Sequence, residues 1–367
     1  MASFNPTRLD VARRRRGMTK GELADALEVS TRSLLAYEKE EKRPKSATVL
    51  RMAEVLAFPV EFFFGPDLDE PSLDGSSFRS LRRLTAQRRD RALAAGAIAL
   101  RLSDWIESQF VLPTPDIPRC DGLSPEMAAI AVRNSWKLGE RPISNMIHLL
   151  EAHGVRVLSL AEDCRELDAF SFWRGDLPYA FTNTVKSSEH RRMDGAHELG
   201  HLVLHRYGAI RARGSETEHE AQRFASAFLM PSGDVLAQAP RSPGVAELVQ
   251  AKRRWNVSAV SLAYRMHVLG LLTEWHYRDL MINMSQLGYR TDEPKSSKAE
   301  SSQVLDKVFA ALKAEGKSKL DVAREVGVPL DELQRVVFGL VLTSLEGNGS
   351  MGTTDVSDSR PTLRVVG

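Results

Sequence analysis

The segment from Arg192 to Leu204 constrains this chain more than any other. It contains His197-Glu198-Leu199-Gly200-His201, and Ala196, Leu199, Leu202, Val203 and Leu204 give it the apolar content of a buried helix. Residues four apart lie one above the other on a helix. Both imidazoles therefore share one face and can reach one metal ion. Neutral imidazole is a standard zinc ligand, and Glu198 is placed beside the metal to accept a proton from an activated water rather than to bind. An open catalytic zinc site takes three protein ligands.

The third ligand is not another histidine. His205 lies eight residues beyond His197 and is too far along the axis to reach the same ion. The longer HExxHxxGxxH pattern needs a histidine at 207, where Tyr207 stands. A carboxylate from a following helix remains. Glu216, Glu218 and Glu220 precede the apolar run Ala221 to Met230, which Pro231 stops. Glu220, at the start of that helix, is the first choice. For a group to hold an oxyanion, His190, Tyr207, His219, Tyr264 and His267 are all candidates, and the sequence does not choose among them.

Around this core the chain divides. Its 367 residues suggest two or three domains. Apolar periodicity over 6–64, broken at Gly17, Val29-Ser30 and Arg43-Pro44, reads as a run of short helices, and a five-helix domain is expected over 1–66. Thr19 with Glu22 forms a capping box, and Ser30 opens the next helix. Residues 67–119 read as a linker and helical connector. The body over 120–294 mixes helices with short strands at Val155–Leu158, Ala169–Trp173 and Tyr179–Thr182, the last two turning at Gly175-Asp176. A C-terminal helical segment follows at 295–345, then a disordered tail at 346–367. The expected class is mainly α with a small β-sheet, α+β.

The net charge is only +2, but residues 1–51 hold twelve Lys/Arg against seven Asp/Glu. Nucleic-acid contact, if any, belongs at that end. Two widely separated cysteines, Cys120 and Cys164, exclude a disulfide framework or a CxxC site. No apolar run is long enough to span a bilayer, and no signal core opens the chain, so a cytoplasmic protein without membrane contact is expected.

Two resemblances sharpen these expectations. The stretch Ala196 to His205, followed by Glu220-Ala221-Gln222-Arg223-Phe224-Ala225 and Phe228-Leu229-Met230-Pro231, is similar to the ImmA/IrrE family of metallopeptidases. Lys252 to Ser258, Tyr264-Arg265, Leu269-Gly270-Leu271 and Gly288-Tyr289-Arg290 resemble the part of that family fused to a helix-turn-helix. Met193 stands where phenylalanine is usual. The resemblance implies a zincin-like minimal metallopeptidase domain with Zn2+ held by His197, His201 and Glu220. It also implies metal-assisted peptide hydrolysis with Glu198 as the general base.

Thr19 to Val29 and Ser30 to Glu38, with Arg43-Pro44 and Phe62-Phe63 behind them, resemble the Cro/phage-repressor (XRE) helix-turn-helix. That implies double-stranded operator DNA read by Ser30, Thr31, Arg32 and Ser33, with Lys20, Lys39, Lys42 and Arg43 on phosphates. It also implies a homodimer. Lys20 replaces the usual glutamine, which favours phosphate contact over base reading. Residues 319–329 look like half of another helix-turn-helix, but their acids favour a packing or dimerisation role. The expected function is a DNA-binding regulator fused to a zinc endopeptidase. Its substrate would be a regulatory protein such as a repressor, in stress response or mobile-element control. The alternative is a regulator that cuts nothing and uses the peptidase-like domain as a sensor or partner-binding module.

Overall fold

A computed structural model describes residues 3–71, 85–159, 169–184, 186–206, 215–289, 292–337, 339–341 and 364–365. The N-terminal unit contains α1 (Pro6–Arg15), α2 (Lys20–Ala26), α3 (Thr31–Glu38) and α4 (Ser46–Leu56). The expected fifth helix is instead a 3-10 turn, Val60–Phe64, entered from Pro59. The capping box forms as expected: the Glu22 amide donates to Thr19 at 3.2 Å and the Thr19 amide to Glu22 at 2.7 Å. Leu9, Leu23, Leu34, Met52, Leu56 and Phe63 close a small core at zero exposure.

The arginine run on α1 is structural. Arg13 and Arg14 hold Asp10, and Arg16 donates to the Leu56 carbonyl at 2.7 Å while lying over the Phe58 ring. Arg15 reaches out of the unit to Glu332 at 2.6 Å, with both side chains 2 % exposed.

Helix α5 (Ala86–Gln109) forms within the expected helical connector. Ala92 to Leu100 are all buried, as are Leu102, Ser103, Trp105 and Ile106, with Arg101 and Asp104 half-buried between them, so most of the helix surface is covered by protein. It packs on α1 on one side and on the C-terminal helices α15 (Lys319–Val326) and α16 (Leu330–Val337) on the other. Strand β1 (Phe110–Val111) continues it and pairs antiparallel with β5 (Arg364–Val365). The rest of the tail expected to be disordered lies outside the described residues, as do 72–84 of the expected linker.

In the body, α6 (Pro125–Ser135) and α7 (Met146–Ala152) precede a three-stranded sheet in the order β2-β4-β3. Strand β2 (Arg156–Ser159) runs parallel to β4 (Leu177–Thr182), and β3 (Phe170–Arg174) pairs antiparallel with β4. The β3–β4 hairpin turns at Gly175-Asp176, where Gly175 takes φ 60°. Phe170, Phe172 and Phe181 stack on one another across it. Helix α8 (Ser188–Leu204) lies against this hairpin, and α9 (Ser215–Leu229) packs along α8. The two lie close together at Gly200, where a Cβ would meet Phe224 at 3.1 Å and the Ala221 backbone at 3.2 Å. Glycine is needed there so that the helices can approach. Pro231 stops α9, and Arg133 and Arg265 bond the carbonyls it leaves, Phe228 at 2.5 Å and Met230 at 2.9 Å.

Helices α10 (Ser232–Gln238), α11 (Val245–Ala251), α12 (Ala259–Val268) and α13 (Glu274–Gln286) complete the body. The C-terminal unit, opened by α14 (Gln303–Ala314), is bound to it through an ion pair and buried hydrogen bonds. Glu300 accepts from buried Arg192 and from the first amides of α7, Met146 at 2.9 Å and Ile147 at 3.3 Å. Glu151 accepts from Ser302 and from the Gln303 and Val304 amides. The acidic helices at 319–337 therefore pack within the fold. No helix among the described residues is long and apolar enough to cross a membrane.

Candidate metal centre and nucleic-acid interface

The HExxH helix forms and brings its histidines together. His197 Nε2 and His201 Nε2 lie 3.1 Å apart. The carboxylate of Glu218 reaches both, at 3.4 Å from His197 and 3.8 Å from His201. The three residues put one ligand atom each within 4.8 Å of one another. Donors at zinc bond lengths around a tetrahedral ion stand about 3.3 Å apart. Two imidazoles and one carboxylate at these separations fit that ion.

Glu220, expected as the third ligand, is elsewhere. It accepts from His205 Nε2 at 2.8 Å. The correction is one of helical level. Along α9, Glu218 stands beside His197 and His201, while Glu220 stands beside His205, the residue the sequence already placed beyond reach of the ion. Glu216 is exposed on the first turn.

Glu220 instead closes a chain behind the site. His201 Nδ1 lies 3.2 Å from His205 Nδ1. If His201 turns its Nε2 lone pair toward an ion, its Nδ1 carries the proton and donates to His205. His205 Nε2–H then donates to Glu220. Each link fixes the next tautomer.

Charge at the pair is divided unevenly. Burial opposes protonation of His197, but the hydrogen bond to Glu218 and the charges of Glu198, Glu218 and Asp194 hold its pKa above the ordinary value. Burial, then His197 and His205, push His201 well below it. His201 is thus kept neutral, the form that ligates.

Glu198 is 3 % exposed, and the Ser171 hydroxyl lies 2.7 Å from its Oε2. Ser171 sits on β3, so the hairpin carries the group that orients Glu198. A serine in a short strand gives no such signal in the sequence. Trp173 on the same strand donates to the Leu202 carbonyl at 3.3 Å, and Arg206 lies 3.7 Å over its ring. Strand and helix are thereby fixed to each other at the end of α8.

Of the oxyanion candidates, His190 bonds Ser187, and His267 stacks on Tyr277 beside Glu274. His219 is exposed, Tyr264 is half-buried and Tyr207 lies outside the described residues.

At the N-terminal unit, Ser30 caps α3 by accepting from the Ser33 amide at 3.1 Å. Thr31 and Arg32 are exposed on the first turn of α3, and Ser33 is half-buried. Lys39, Lys42 and Arg43 are exposed after its last turn. Lys20 Nζ is 2.5 Å from Glu38, joining α2 to α3, and its side chain is 46 % exposed. The exposed cations around α3 without an ion-pair partner among the described residues are Arg32, Lys39, Lys42, Arg43 and Lys45, whereas the α1 run is engaged within the fold.

Residues 150–267 match the IrrE N-terminal-like domain, and residues 11–63 match the helix-turn-helix family. The first match spans β2 to α12, with the whole histidine and glutamate cluster inside it. The second spans α1 to the 3-10 turn. The chain thus joins a helix-turn-helix domain to a metallopeptidase-like domain, as its motifs implied. No curated protein sequence matches the chain closely enough to count as a relative.

Proposed function

We propose that the protein is a DNA-binding transcriptional regulator whose body is a zinc-dependent endopeptidase of the cytoplasm, acting on a regulatory protein such as a repressor. The observation that carries this reading is Glu198, buried directly beside a ligand set of His197, His201 and Glu218 and oriented by Ser171. A purely structural metal site needs three or four ligands but no oriented carboxylate next to them.

These three residues would hold the ion, and zinc, when bound, supplies the Lewis acidity that activates water and polarises a peptide carbonyl. Glu198 takes a proton from the attacking water and returns it to the nitrogen of the departing amine as the C–N bond breaks. Ser171 fixes the carboxylate for both transfers. His205 and Glu220 keep the His201 lone pair directed inward. Stress response or mobile-element control is the setting we infer, with the helix-turn-helix binding an operator as a homodimer through Ser30, Thr31, Arg32 and Ser33.

The test is a comparison of protein N-termini in lysate treated with zinc-loaded wild type and with Glu198→Gln. Termini that appear with the wild type alone support the endopeptidase. Identical termini with equal zinc content would leave a regulator that uses this domain without cutting.

A further inference from the structure

Where the turn after α11 faces the segment 295–300, the surface opens into a cavity of about 560 Å3. Five cations line it: Lys252, Arg253, Arg254, Lys295 and Lys298. The two carboxylates in its wall are already engaged. Glu189 accepts from Lys252 Nζ at 3.3 Å and from the Ser297 amide at 2.8 Å, and Glu300 holds Arg192 and the start of α7. Lys252, 1 % exposed, also meets Glu293 at 3.4 Å, and Arg254 pairs with Asp234 at 2.6 Å. Arg253, Lys295 and Lys298 have no ion-pair partner among the described residues, and all three are exposed. Lys295 also holds a left-handed backbone at φ 59°, which a non-glycine residue adopts at a cost.

Three unneutralised cations around one concavity repel one another, and no acid among the described residues pairs with them to relieve that repulsion. An anion entering from solvent would. Ser144, Asn145 and Ser296 add polar side chains to the same wall. The volume falls in the range of small-ligand sites, roughly 300–1,000 Å3. We propose that this cavity binds a small molecule bearing two or three phosphates. Guanidinium and ammonium groups are the side chains suited to such a ligand. A concave arrangement favours a compact ligand over a DNA backbone, which the cations around α3 already serve. The site is independent of the endopeptidase reading. It does touch the same helix, since Glu189 lies in the first turn of α8 and Glu300 ties down Arg192 on the next turn.

Isothermal titration of the full chain with inorganic tripolyphosphate and with ATP, in 150 mM salt as about the physiological strength, tests the proposal. Saturable binding at one site per chain is expected. Arg253→Ala and Lys298→Ala should each weaken it at least tenfold, while Lys313→Ala, an exposed lysine on α14, should leave it unchanged. Tighter binding of ATP than of tripolyphosphate would show that the nucleoside is read as well; equal binding would show that phosphate alone is read. Either agrees with the proposal. Absence of saturation to millimolar ligand, or equal weakening by Lys313→Ala, would overturn it. So would Arg253→Ala and Lys298→Ala reducing affinity for duplex DNA while the wild type ignores tripolyphosphate, which would assign the patch to DNA.

Discussion

Replacing Glu218 and Glu220 separately should change zinc affinity by very different amounts. Glu218 places its oxygens 3.4 and 3.8 Å from the two Nε2 atoms, among the donors themselves. Glu220 acts two residues away, through His205 and then His201. Removing an outer partner of a ligating histidine costs roughly 10–100-fold in metal affinity. The Glu220 side chain is 39 % exposed, so water can replace much of its bond to His205. Glu220→Ala should therefore fall at the lower end, about tenfold, or about 1.4 kcal/mol. Glu218→Ala removes a charged donor from the ion's own shell and should exceed roughly 100-fold. Competition against a fluorescent zinc chelator at fixed pH measures both. The reasoning fails if Glu220→Ala loses as much zinc affinity as Glu218→Ala, or if Glu218→Ala keeps wild-type affinity.

Other outcomes follow from the same contacts. Gly200→Ala pushes the Ala221 backbone from a Cβ contact of 3.2 Å, so α9 must shift and carry Glu218 with it; zinc affinity should drop about tenfold, while circular dichroism shows the helices intact. Glu332→Ala removes the buried acid that Arg15 and Arg16 both hold and should cost about 3–5 kcal/mol, read by urea denaturation; Arg15→Met with Glu332→Leu should recover most of it. Burial raises the Glu151 pKa to about 7 against bonds from Ser302, Val304 and Gln303 that lower it. Its folded pKa lies above its unfolded one, so its contribution is fully present below about pH 4.5 and declines as pH rises toward 7; melting temperature should fall across that window, and Glu151→Gln should flatten the slope. Arg32→Ala or Lys42→Ala should weaken operator binding and reduce the salt slope by about one each, whereas Arg14→Ala, already paired with Asp10 and Glu70, should leave that slope unchanged.

The parts of this fold legible in the sequence are those fixed by local chemistry. The capping box at Thr19, the turn at Gly175 and the shared face of His197 and His201 depend on neighbours within a few residues. The choice between Glu218 and Glu220 depends on how α9 is set along α8, which the packing of the two helices decides, Gly200 included. Ser171 could not be found in advance because its role is set by the side of α8 on which the hairpin lands. The basic run on α1 misleads in the opposite way. Its charge is visible in the sequence, but its partners Glu70, Asp331 and Glu332 are remote from it.

Helix α5 and the Arg15–Glu332 pair change what a cut in this chain would do. The helix-turn-helix is not a bead on a string, because its first helix is seated on α5 and anchored by an acid contributed from the far end of the sequence. Severing the chain after Glu300 would remove that acid and expose the side of α5 that α15 and α16 cover. The DNA-reading end would then lose its mooring without a single change to its own residues, so the integrity of residues 303–341 should be read out directly in operator occupancy.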